Sequence, residues 1–167
     1  MKEQLLSYTE YNLWANTRMV ELFSSCDEAI VNEEVISSFP SIRQTLLHLW
    51  DVEIIWLERL KGNSPSALMS KTFQGDNKDI YAGLISASTA FRDFVAAQPE
   101  LYFSTFIDFT LLTAAGSFRQ LPADMIQHCM NHQTMHRGQL ITMGRQLGIT
   151  AFPRTDYIIW VRENQKR

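Results

Sequence analysis

The chain has 167 residues, 46% hydrophobic and 20% charged, which is the composition of an ordinary globular protein and the length of one domain, residues 1–167. A chain of this size can bury a substantial core without disulfides or a structural metal. The net charge of −3 gives no basic stripe for nucleic acid and no polybasic run for an anionic membrane surface.

Met1-Lys2-Glu3-Gln4 leads straight into an amphipathic pattern, without the apolar stretch and small-residue cleavage site of a signal peptide. No segment approaches the roughly 18 uninterrupted apolar residues of a membrane span. Cys26 and Cys129 are the only cysteines and form no CxxC, so a reducing, cytoplasmic setting is expected.

In the first segment, about Lys2 to Ser25, Leu5, Leu6, Leu13, Trp14, Val20 and Phe23 recur at helical spacing. Cys26 to about Pro40 lacks periodicity and reads as a loop. A second helix is predicted from about Ser41, a plausible cap, to Lys61. Its stripe runs Ile42, Leu46, Leu49, Trp50, Trp56, Leu60, with Glu53 the polar exception. Gly62-Asn63-Ser64-Pro65 stops it. Asp76 or Asn77 caps a third helix, about Lys78 to Gln98, with Ile80, Leu84, Ala87, Phe91 and Val95 on its apolar face. From Leu101 to Arg119 apolar and β-branched residues alternate, and Ala115-Gly116 suits a turn, so a short β-hairpin is predicted. Helix four opens at Leu121-Pro122 and continues to about Leu147, where Gly148 closes it. Thr155 to Glu163 reads as a short terminal helix. The fold class is all-α: a four-helix bundle with one irregular crossover and a hairpin before the last long helix.

Three of the four histidines, His128, His132 and His136, fall in nine residues of helix four. Spaced by four, they form one drifting row on a helix face. A row of separately satisfied polar side chains is the bland explanation. The apolar neighbours Met125, Ile126, Met135, Leu140 and Ile141 favour a buried functional row. His128 and His136 lie roughly 12 Å apart along the axis, too far for both to join one ion with metal–nitrogen bonds of about 2.0–2.1 Å. Two adjacent members can, with His48 of helix two as third ligand. The site is therefore His48 with either the 128/132 or the 132/136 pair, and His132 belongs to both.

His132-Gln-Thr-Met-His136 shares the spacing of the metallopeptidase HExxH, but Gln133 stands where the glutamate base would be, and an amide cannot take up a proton. Gly138 costs about 1 kcal/mol in a helix interior, so close packing is expected there. Arg137 is a solvated charge or pairs with Asp51 or Glu53. Asp51, three residues after His48, is a candidate for orienting a ligand, for binding the metal, or for capping a polar spot. Cys129 reads as a buried filler and Trp14, Trp50, Trp56 and Trp160 as packing residues.

The run His128-Cys-Met-Asn-His132-Gln-Thr-Met-His136-Arg-Gly-Gln-Leu resembles the signature of the DinB/YfiT-like bundle proteins. Ser41-Ile-Arg-Gln-Thr-Leu-Leu-His48, Tyr11-Asn-Leu-Trp-Ala-Asn16 and Phe152-Pro153 with Asp156-Tyr-Ile-Ile resemble the family's other segments, in order along the chain. The resemblance implies a bundle, commonly a homodimer, with one divalent ion such as zinc or nickel on His48, His132 and His136. His128 then becomes a neighbour of the site, with Asp51 and Arg137 as further candidates for orienting the ligands. It also implies a metal-dependent thiol S-transferase that joins a low-molecular-weight thiol to a small electrophile. A metal-dependent hydrolase and a non-catalytic, metal-stabilised binding module are the rivals. Trp14, Met19, Met130 and Met143 do not all fit one inward stripe, and an exposed apolar patch for the homodimer is expected from them.

Overall fold

The computed structural model describes residues 1–112 and 116–164. Four long helices, α1 (Lys2–Ser24), α3 (Ile42–Leu60), α4 (Asn77–Ala97) and α5 (Pro122–Gln146), form the bundle. Between and after them lie the short helices α2 (Glu28–Asn32) and α6 (Tyr157–Asn164) and an antiparallel hairpin, β1 (Ile107–Thr110) with β2 (Ser117–Gln120). Three of the long helices start where local chemistry allows. Ser41 accepts the Gln44 N–H at 3.2 Å, Asp76 and Asp79 form a reciprocal capping box, and Pro122 opens α5 where its missing N–H is not needed. Gly62 and Gly148, at φ 83° and 86°, follow the ends of α3 and α5 in the left-handed region.

The apolar residues fall into two clusters, one at each end of the bundle. Leu5, Leu57, Phe91, Phe103, Phe109 and Met125 belong to the hairpin end. Met19, Phe23, Ile42, Leu46, Leu84 and Leu140 belong to the other. Their order along the chain fixes the helix directions: α1 and α5 run away from the hairpin end, α3 and α4 towards it. α1 packs beside α4 and α5, and so does α3, which makes α1 and α3 diagonal partners. Because α3 and α4 run the same way, residues 61–76 must return the length of the bundle. This is the irregular crossover the sequence predicts. It is pinned where Asp51 Oδ1 accepts the Ser70 N–H at 3.0 Å and where Arg43 donates to Gly75 O and Asn77 Oδ1.

A polar layer lies between the two apolar clusters. Asn12 and Asn16 of α1, Glu53 of α3, Ser88 of α4, and Gln133 and Arg137 of α5 are each at most 2% exposed. Glu53 accepts hydrogen bonds from Asn12 (2.6 Å), Asn16 (3.2 Å) and Ser88 (2.7 Å). Arg137 donates to the same two asparagines at 2.5 and 2.9 Å and to Thr134 at 2.8 Å. The carboxylate and the guanidinium are thus joined through a pair of amides across the bundle diagonal. Burial pushes the Glu53 carboxyl up to about 7, against the hydrogen bonds from Ser88 and Asn12 and the charge of Arg137.

Several expectations need correction. The segment before α3 is not wholly loop: α2 forms there, capped by Asp27 and anchored by Val31, but five residues are too few to show a period. The alternation from Leu101 overshoots the hairpin. Glu100–Ser104 is a 3-10 turn, and pairing runs only from Ile107↔Gln120 to Thr110↔Ser117. Ala115 of the expected turn lies outside the described residues. Met135 is 53% exposed and lends no burial to the histidine row. Met19, Met130 and Met143 are each 1% exposed, because the flexible thioether fills the core; only Trp14 of the expected patch stays partly exposed, beneath the Arg18 guanidinium. Among the described residues, no helix is long and apolar enough to cross a membrane.

Gly138 is not a close-packing glycine. A Cβ there would meet nothing within 4 Å, whereas one at Gly83 would collide with the Trp50 ring. Gly138→Ala is therefore expected to stabilise the protein by up to about 1 kcal/mol, and Gly83→Ala to destabilise it. Thermal denaturation of the two variants measures both signs; a lower melting temperature for Gly138→Ala would place unseen packing at that face.

Glu53 supplies a pH test. The unfolded carboxyl ionises near its ordinary 4.5 and the folded one near 7. Between those values the folded chain binds the extra proton, so this group's contribution becomes less favourable as pH rises from about 4.5 to about 7. Wild type should lose stability over that interval relative to Glu53→Gln in denaturant titrations. A relative gain would mean that Arg137 keeps the carboxylate charged throughout.

Candidate metal centre

α3 and α5 pack side by side, and midway along them three imidazoles converge. One nitrogen from each of His48, His132 and His136 lies within 4.8 Å of the other two. The Nε2 atoms of His48 and His132 are 2.9 Å apart, and the His136 ring centroid lies 4.7 and 4.4 Å from theirs. His136 is 4% exposed and the other two are half-buried. Desolvation leads in pushing His48 and His132 down to about 4, helped by the neighbouring imidazoles, and burial also lowers His136. All three rings are neutral at neutral pH, the state in which imidazole offers a lone pair to a cation.

The donor set suits one divalent ion. Two nitrogens bound to a tetrahedral ion at about 2.0–2.1 Å stand roughly 3.4 Å apart, so His48 and His132 need to part by only a few tenths of an ångström. His136 is already oriented. Its Nδ1 lies 2.7 Å from Gln139 Oε1, while Gln139 Nε2 donates to Ser38 Oγ at 2.9 Å and so fixes which way the amide faces. With the amide so oriented, Oε1 accepts from a proton on Nδ1 and leaves the Nε2 lone pair for a cation, the arrangement that metal-ligating histidines usually show. Phe39, from the segment before α3, stacks on His48 with centroids 4.3 Å apart and also borders His136 at 5.6 Å. No carboxylate or thiol joins the cluster among the described residues, so an ion held by three imidazoles keeps a coordination position for another ligand.

The remaining candidates lie elsewhere. His128 is exposed, its ring 6.0 Å from His132 and 4.8 Å from Trp56. Asp51 caps the crossover at Ser70 instead of touching a histidine. Arg137, next to His136 in sequence, points the other way into the polar layer. Cys129 is fully buried in the hairpin-end cluster. Gln133 also faces the core, donating to Leu49 O at 2.8 Å and accepting from Asn16. A glutamate there would point away from the imidazoles. Trp14, Trp50 and Trp56 remain partly exposed, and only Trp160 is buried.

Phe39 and Gln139 escape a reading by residue type. Phe39 carries no polar atom and lies outside the long helices. Gln139 does carry a signal, since position i+3 from His136 places an amide within reach of the ring's second nitrogen.

Comparison with known proteins agrees with this fold. The DinB family model matches residues 1–166. Protein DinB of Bacillus subtilis (strain 168) is 26% identical over 159 residues, spanning 91% of this chain and 90% of that protein. A DinB-like protein of Bacillus cereus ATCC 10987 superposes with a TM-score of 0.72 at 18% identity, covering 91% of this chain and 95% of the other. A DinB-like protein of Bacillus subtilis superposes with a TM-score of 0.67 at 15% identity, covering 92% and 98%. The solved structures share the bundle, the family match spans nearly the whole sequence, and the chain belongs to the DinB family.

Proposed function

We propose that His48, His132 and His136 hold one divalent ion, zinc or nickel, and that the protein is a metal-dependent thiol S-transferase acting on small electrophiles. The observation that carries the reading is three neutral imidazole nitrogens within 4.8 Å of one another with no fourth protein ligand among the described residues. A divalent ion there supplies positive charge that lowers the pKa of an incoming thiol, so that the thiolate serves as nucleophile. The chain's own residues do the rest. Gln139 hydrogen-bonds His136 Nδ1, Phe39 stacks on one face of His48, and the half-buried His48 and His132 rings keep part of the cluster in reach of solvent.

A thiol reading is favoured over hydrolysis because no carboxylate stands beside the cluster among the described residues to draw a proton from water. The two buried acids of α3 are committed elsewhere, Glu53 to Asn12, Asn16 and Ser88 and Asp51 to the Ser70 N–H. A thiol acidified by an ion needs no such base.

His132→Ala should abolish stoichiometric metal binding, and His136→Ala and His48→Ala should weaken it severely, while His128→Ala retains the ion. Elemental analysis of the purified variants measures this. An unchanged metal content in His132→Ala ends the proposal, and loss in His128→Ala with retention in His136→Ala reassigns the ligands. Thiol-dependent turnover of a model electrophile by the loaded protein tests the reaction; metal-dependent turnover without thiol would favour hydrolysis. The homodimer is kept in the proposal on the family resemblance. Light scattering across a dilution series should give two chains, and a constant mass of one chain would remove it.

A further inference from the structure

A cleft of about 1150 Å³ runs between α1 and α5 and is crossed by residues 152–158. It lies on the other flank of α5 from the three imidazoles, none of which lines it. Tyr11 pins the crossing segment by donating to Thr155 O at 2.8 Å. The volume is ample for a small organic molecule.

Arg137 is the buried charge on the wall of this cleft. It is 2% exposed, and no carboxylate among the described residues lies within ion-pair distance of it. Its Nη1 donates to Asn12 and Asn16, and its Nη2 to Thr134. Nε donates to nothing on the described residues, yet it is not sealed from solvent. The edge formed by Nε and Nη2 is one that takes a carboxylate side-on, through two parallel N–H···O bonds.

Beside Arg137 the cleft is kept open by Gly138, where a Cβ would meet nothing within 4 Å. That glycine weakens the helix by about 1 kcal/mol, and no contact within the chain accounts for it. The rest of the wall is largely apolar, with Leu5, Tyr8, Ile141, Phe152, Tyr157 and Ile158 among its residues. Tyr157 and Ile158 are 41% and 52% exposed, so apolar surface here faces water. The acids on the wall stand apart from Arg137. Asp156 faces Arg154 at 3.6 Å, and Asp124 lies roughly 20 Å away along α5.

We propose that the cleft binds an apolar monocarboxylate, its carboxylate on the Nε–Nη2 edge of Arg137 and its body along Tyr8, Ile141 and Tyr157. A buried cation without a counter-ion favours an anion over a neutral molecule of the same shape. The guanidinium is already held by Asn12, Asn16 and Thr134, so little freedom is lost when the ligand arrives. The body removes exposed apolar surface from water, and Gly138 supplies the room for it.

Isothermal titration calorimetry of the full-length protein tests this with naphthylacetate and octanoate, each against its matching alcohol, naphthylethanol and octanol. At least one acid should bind about tenfold or more tightly than its alcohol. Binding of either supports the proposal, and the tighter of the two identifies the body as aromatic or aliphatic. Arg137 also supports the polar layer, so variants at neighbouring positions carry the test. Gly138→Leu should weaken acid binding tenfold or more while melting no lower than wild type, because its side chain fills the cleft and not the core. Arg145→Gln should keep the acid preference, since that exposed guanidinium stands about 12 Å further along α5. Equal affinities for acids and alcohols, acid binding that survives in Gly138→Leu, or an acid preference lost in Arg145→Gln each overturn the proposal. So does the absence of binding by either acid; with a mass of two chains at every dilution, that result would assign the cleft to a second copy of the chain.

Discussion

Glu53 and Arg137 are two ionisable groups placed at the centre of an otherwise apolar bundle, and they meet only through the amides of Asn12 and Asn16. Taking two such groups out of water is expensive unless their hydrogen bonds are made in full, and the chain makes them by drawing one side chain or more from every long helix. A slip of any helix by one residue would leave a charge unanswered. Apolar packing tolerates such slips far better, since one aliphatic contact replaces another at small cost. The polar layer therefore sets the register of the helices, while the two apolar clusters on either side supply most of the burial.

The histidine cluster inherits that register. Gln133 follows His132 in sequence and donates to Leu49 O of α3, the residue next to His48. Arg137, adjacent to His136, is fixed from α1. The imidazoles of α5 thus take positions set by what their neighbours Gln133 and Arg137 bind. This gives the His-Arg-Gly-Gln run a physical meaning beyond its histidine: Arg137 locks the helix, and Gln139 sets the tautomer of the ring one turn before it.

The long helices, their caps and their stops were legible in the sequence because periodicity, Ser41, Asp76, Pro122 and Gly148 all act locally. The three histidines were legible because spacing on a helix is a geometric statement. The choice between the two histidine pairs was not, since it depends on how α5 is rotated against α3, and here only the family resemblance favoured His136. Glu53 stood out as the one polar residue in an apolar stripe, but its partners on α1 and α4 are set by tertiary packing across the diagonal. The hairpin was overextended because alternation of aromatic residues also describes a 3-10 turn that buries Phe103 between half-buried Tyr102 and exposed Ser104. Gly138 misled for a related reason: a helical glycine signals close approach only if another element lies opposite, and none does.

His48 and His132 are 84 residues apart in the chain yet have touching ring nitrogens. If both hold an ion with His136, as proposed, the site exists only once α5 has docked on α3. A nascent chain that has not yet released α5 from the ribosome offers one isolated imidazole and captures nothing durable. Such binding would select the finished fold over the open chain and add to its stability with the logarithm of free ion concentration. In a cell where that ion is scarce, the lifetime of the protein would then track metal supply, even where no turnover is taking place.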